Sequence, residues 1–143
     1  MVNASIQTLH EPDGTPVANV VFDLSTQQLG AASHATAEML LERHRGADLE
    51  VDDVLALREL TAVRDDLSRL AETGANATVL MTLGRLIAFH DAVDEWVTSR
   101  AGRGWLRDAD REALTFVGAM LAPLATLRET AVAAALGSTA ASS

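Results

Sequence analysis

Apolar and polar positions alternate along the first two dozen residues. Ile6 and Thr8, then Val17, Asn19 and Val21, fall on one side, with Val20 and Phe22 on the other, the period of two expected of strands. Pro12-Asp13-Gly14 stands between the two runs. It combines a preset φ, a side chain that bonds its own backbone and a residue tolerant of positive φ, so it reads as a turn. The pattern predicts a β-hairpin over about residues 5–22. Because an isolated two-stranded ribbon is marginal in water, this one is expected to lie on helices or to pair with another chain.

From Ser25 the period changes to that of helices. Ser25-Thr26-Gln27-Gln28 has the form of a capping box, a hydroxyl at the N-cap and a Gln three residues on that can reach back to the N-cap amide. A first helix is expected from there to about Arg45, with Leu29, Ala32, Thr36, Met39 and Leu40 facing inward and Gly46 as its stop. Asp48 is placed to cap a second helix, with Asp52 and Asp53 favouring its positive end and Ala56, Leu60, Val63, Leu67 and Leu70 as its stripe, closed by Gly74. A third helix is expected from about Asn76 to Arg100, ended by Ala101-Gly102-Arg103-Gly104. A fourth opens at Asp108 and turns Leu114, Val117, Leu121, Leu124, Ala131, Val132 and Ala135 inward, with a kink expected between Gly118 and Pro123. Short connections favour antiparallel neighbours. The expected architecture is mainly α: an N-terminal β-hairpin followed by an antiparallel four-helix bundle, one domain over residues 1–137 with a flexible tail at 138–143.

The 143-residue chain is 48 % hydrophobic and 22 % charged, within the range of a single soluble globular domain. Its formal charge of −9 disfavours nucleic acid and anionic membranes, whose binding rests on Lys and Arg contacts to phosphate. Without cysteine it can form no disulfide, thiolate nucleophile or thiolate metal site. No basic start followed by an apolar core is visible, and no uninterrupted apolar run reaches about 18 residues, so a cytoplasmic protein without a membrane span is expected.

Candidate chemistry concentrates in Ile87-Ala88-Phe89-His90-Asp91-Ala92-Val93-Asp94-Glu95-Trp96. On a helical wheel Val79, Leu83, Leu86, Val93 and Val97 cluster on one face with His90 in their midst and Asp94 one turn on. Idealised counting puts Thr36, Glu59 and Gly118 at the same level, small or polar neighbours that would leave room for a ligand. Three readings stay open for His90 and Asp94: a satisfied core pair, a small-ligand pocket with Thr36, Glu59 and Gly118, or a catalytic or metal-binding pair. No metal is expected, because bundle metal sites use Glu-x-x-His, which is missing from the sequence, and His10, His34 and His44 do not converge with His90. His90-Asp91 resembles the paired ligands of the HD-type metal phosphohydrolases, which would imply a metal site on a helical fold. The upstream histidine of that ligand set has no counterpart, His44 being too distant.

No cofactor motif and no complete catalytic set is present. The expected role is therefore non-catalytic, a homo-oligomer, taken as a dimer, or the partner of another protein, with a ligand site around His90 and Asp94 as the alternative. Trp96, on a shoulder with Phe89, Trp105 in the following loop, and an inward Arg128 are the candidate interface residues. Arg128 is counted to the level of Leu80, too far from Asp94 to pair with it. The Ala-rich stretch at 131–136 would let another helix approach closely.

Overall fold

The computed structural model describes residues 2–10, 12, 16–44 and 51–141. Its elements are β1 (Val2–His10), β2 (Pro16–Leu24), α1 (Thr26–His44), α2 (Val51–Glu72), β3 (Ala77–Thr82), α3 (Leu83–Ala101) and α4 (Asp108–Ala141). The chain is mainly helical, with four helices and an antiparallel three-stranded sheet in the order β1-β2-β3.

The expected hairpin forms, with Ile6 opposite Val20 and Gln7 opposite Asn19. Residues 13–15 of its turn, and Arg45, Gly46 and Asp48 between α1 and α2, lie outside the described residues. The ribbon gains a third strand from its own chain. β3 pairs with the far side of β2, Val20 opposite Met81 and Phe22 opposite Val79. This corrects the expected start of the third helix at Asn76. Residues 77–82 are an apolar run too short for periodicity to tell strand from helix, and their β-branched Thr78, Val79 and Thr82 suit a pleated surface. Val79 and Met81 turn inward, while Leu80 between them is exposed. Thr82 ends the strand and caps α3, its hydroxyl accepting from the Arg85 amide at 3.3 Å.

α1 begins where the capping box requires. Ser25 N–H donates to Gln28 Oε1 at 2.9 Å, and Gln28 N–H donates to Ser25 Oγ at 3.2 Å, so two orphan amides are satisfied reciprocally. Asn76 Oδ1 accepts from the Thr26 amide at 3.1 Å, tying the approach to β3 onto the same helix start. Leu29, Ala32, Thr36, Met39 and Leu40 are all buried as expected. α2 buries Leu57, Leu60, Val63 and Leu67 but leaves Ala56 exposed, and Gly74, at φ 68°, follows its end.

One core holds both layers. Val20, Phe22 and Leu24 from the inner face of β2 join Val79 and Met81 of β3 and the helix stripes. α1 packs against α2, α3 and α4; α3 packs against α2 and α4; and β2 lies across α3 and α4. Two stripes differ from the expected registers. α3 buries Leu86, Phe89, Val93, Trp96 and Arg100, alternating steps of three and four, which moves the inner face past His90. α4 buries Asp110, Ala113, Val117, Met120, Leu124, Leu127 and Ala131 in the same rhythm, so Leu114 and Leu121 sit at its edge. α4 passes through Pro123 as one helix and continues to Ala141, beyond the end expected at Gly137.

Replacing Ser25 or Gln28 by Ala removes one half of the capping box, and each is expected to lower stability by about 1 kcal/mol. Urea denaturation followed by far-ultraviolet circular dichroism measures it, and the double variant is expected to cost less than the sum because the two bonds form as a unit.

Candidate functional site

The residues expected to share a pocket do not meet. His90 is half-buried and Asp94 exposed, and the ring nitrogen Nδ1 of His90 lies 3.1 Å from Arg128 Nη1, which also donates to Asp91 Oδ1 at 2.6 Å. Thr36 is buried with its hydroxyl donated to the Ala32 carbonyl of its own helix. Glu59 faces the first turn of α3, its Oε2 3.7 Å from Arg85 Nε. Gly118 is exposed. The position of α4 that meets His90 is Arg128, ten residues beyond the one idealised counting selects, or about 15 Å along the helix axis. Arg128, expected to seek its partner across an interface, finds it on α3 instead. Trp96, expected on a half-buried shoulder beside the inner stripe, is completely buried. The burial of Trp96 follows from the rotated stripe of α3, and the pairing of Arg128 from the offset of α4 along its axis.

What the fold does assemble is a set of polar side chains at the C-terminal ends of α1 and α3 and the first turn of α4. Arg100 is 4 % exposed. Its Nη2 donates to Glu38 Oε2 at 2.9 Å and to Glu42 Oε1 at 2.5 Å, and Nη1 donates to Ser99 Oγ at 2.6 Å. Trp96 Nε1 donates to the same Glu38 oxygen at 2.8 Å, and the guanidinium carbon lies 5.3 Å from the centre of the Trp96 ring, within cation–π range. Spacing on α1 explains the supply of acceptors: His34, Glu38 and Glu42 succeed one another at four-residue steps and so share a face. From the first turn of α4 the buried Asp110 meets that face, its Oδ1 2.6 Å from His34 Nε2, while Glu38 Oε1 lies 3.1 Å from the same nitrogen. The His34 ring stands edge-on to Trp96, centroids 6.0 Å apart.

Electrostatics follow from those contacts. The hydrogen bond from His34 holds the Asp110 carboxyl below its ordinary value; burial opposes this, and Glu38 and the Arg100 charge reinforce it. For Arg100, burial by itself would lower the guanidinium, but its hydrogen bond and attraction to Glu42, then those to Glu38, outweigh burial and raise it. His34, Glu38 and Asp110 each offer an atom within 4.8 Å of the others, a set that could hold a metal ion. Yet Glu38 already serves a guanidinium and an indole, and a fixed cation that close repels a second one. In this arrangement the three residues act as a hydrogen-bonded clamp between α1 and α4.

A cleft of about 390 Å³ opens beside the network, lined by Glu38, Glu42, Arg100 and Asp110 together with Leu41, Arg103, Trp105 and Arg107. Trp105 is 74 % exposed. Sequence reasoning passed over this constellation because His34 and Glu38 fall on the polar side of α1. Its available signal was the three-four stripe through Phe89, Trp96 and Arg100, which brings a guanidinium into line with buried aromatics.

No protein-family model, curated protein or solved structure matches this chain. The functional reading therefore rests on geometry and chemistry.

Glu38→Ala leaves a buried guanidinium and an indole N–H short of an acceptor and is expected to cost about 2–4 kcal/mol. A cycle with Arg100→Met, read by urea denaturation, is expected to show a coupling of about 1–3 kcal/mol. Because the Asp110 carboxyl is lowered in the folded state, its contribution is complete at neutral pH and is lost as pH falls through its ordinary value of 3.8 and below. Stability of the native chain is expected to fall more steeply on acidification across that window than stability of Asp110→Asn, measured as urea midpoint against pH.

Proposed function

We propose that the protein works by association, as a homodimer built from an antiparallel four-helix bundle, with the outward face of α4 as the contact surface. The neighbour relations of the helices support the bundle. Consecutive helices touch, α1 also meets α4, and donors run in opposite directions along adjacent pairs: Ser33 of α1 meets Ser68 of α2, and Arg85 at the start of α3 meets Asp66 and Glu59 of α2.

The observation that carries the association is the unburied apolar surface of α4. Its stretch Asp108–Leu136 is long and apolar enough to cross a membrane, by length and composition, yet only 22 % of the most apolar window within it is buried. Ala122 and Ala133 are exposed, and Leu136 is 67 % exposed. Beyond Ala131, the last fully buried side chain described on α4, the helix continues to Ala141. The small side chains of Ala133 and Ala134 permit close approach of a second helix. Grooves of about 730 Å³ against β1 and about 440 Å³ against α3 flank it, shallow relief into which the ridges of an identical helix fit. A two-fold pairing of this face with itself needs no second complementary patch.

Sedimentation velocity across a dilution series is expected to show a dimer that dissociates on dilution, and Ala133→Glu with Leu136→Glu to give a monomer of unchanged helical content. A monomer at every concentration, or a dimer indifferent to both substitutions, would overturn the reading. So would flotation of the chain with phospholipid vesicles, which would assign α4 to a lipid surface.

A further inference from the structure

The cleft beside the buried network has an uneven balance of charge. Its carboxylates are engaged within the protein, Glu38 and Glu42 with Arg100 and Asp110 with His34. Its outer cations are not. Most arginines of the described residues sit in ion pairs, whereas Arg103 and Arg107 have none, and both line this cleft with the exposed Trp105. Arg100 lines it too, and its Nε is the one buried side-chain polar atom among the described residues without a hydrogen-bond partner. Two unpaired guanidinium groups beside an open indole are therefore gathered around about 390 Å³, a volume in the range of small-molecule sites.

We propose that this cleft binds a small aromatic anion, its ring laid on the Trp105 indole and its carboxylate or phosphate held by Arg103 and Arg107. An aromatic face offers an offset-stacked partner to a planar ring. Guanidinium groups match the paired oxygens of carboxylate and phosphate. The net charge of −9 does not forbid an anion here, because charges more than about 8 Å away are largely screened at physiological ionic strength, and the cleft's own carboxylates, Glu38, Glu42 and Asp110, are matched in number by Arg100, Arg103 and Arg107. The site is separate from the outward face of α4, so its occupancy and self-association can be tested apart.

Isothermal titration calorimetry of the full chain with 1-naphthoate, 1-naphthyl phosphate and neutral 1-naphthalenemethanol tests the proposal, and the tighter of the two anions identifies the headgroup. At least one anion is expected to bind saturably and about tenfold or more tighter than the alcohol, a ratio that corresponds to roughly 1.4 kcal/mol. Arg103→Gln, Arg107→Gln and Trp105→Leu all alter exposed side chains, and each is expected to weaken anion binding by about tenfold. Arg58→Gln removes another unpaired arginine, on α2 and outside the cleft, and is expected to change nothing. Equal affinity for the alcohol, no saturable anion binding, insensitivity to the three cleft substitutions, or an equal loss in Arg58→Gln would each overturn it.

Discussion

A single guanidinium, that of Arg100, sets the terms for the helical layer. It is 4 % exposed and fully charged, and a charge so placed is tolerated only where hydrogen-bonding partners of opposite sign surround it. α1 supplies both carboxylates, Glu38 and Glu42, and Glu38 also receives the Trp96 indole N–H. The register of α1 against α3 is fixed by that requirement. A shift of one residue would carry Glu38 about 100° round its helix and leave a cation and an indole donor buried without an acceptor. Asp110 extends the same logic to α4 through His34, so three helices are indexed to one another at their polar end by hydrogen bonds.

The opposite end is indexed by the sheet. β2 leads directly into α1, β3 leads directly into α3, and the two strands pair edge to edge. The starts of two helices distant in sequence are thereby held near one another. Because β3 occupies the second edge of β2, the hairpin finds its third strand within its own chain. That removes one motive for self-association, and the internal pairing of Arg128 with His90 and Asp91 removes another. The apolar length of α4 supplies a different one, since its buried stripe is one residue wide and Ala122, Ala133 and Leu136 remain exposed outside it. The proposed association and the proposed small-anion recognition thus draw on separate parts of the molecule, the later half of α4 for one and the loop ahead of α4 for the other.

Legibility in the sequence divides along the range of the forces. The capping box of Ser25 and Gln28, the inner face of α1, the alternation of β2 and the stop after α2 were readable, because each depends on residues within a few positions of one another. β3 was not. Its six residues sit against the start of a helix with no breaker between them, and only the free edge of β2 makes an extended conformation the better choice. The registers of α3 and α4 were half-readable. Val93, Val117, Leu124 and Ala131 were placed correctly, but a wheel weighted by aliphatic residues turned α3 toward His90, when the larger burial of Phe89 and Trp96 turns it the other way.

By itself the sequence determined a mainly helical chain opening with a hairpin, with the start of α1 and the composition of its core stripe, since local hydrogen bonds and side-chain periodicity decide these within one or two turns. Tertiary structure alone decided that β3 is a strand, that Trp96 lies inside and Trp105 outside, and that His34, Glu38, Arg100 and Asp110 form one network while His90, Asp94, Thr36, Glu59 and Gly118 lie apart. The physical reason is the same in each case. A polar side chain can be placed only when its partner is known, and these partners stand tens of residues away along the chain, where helix rotation and offset, rather than spacing, select which groups meet.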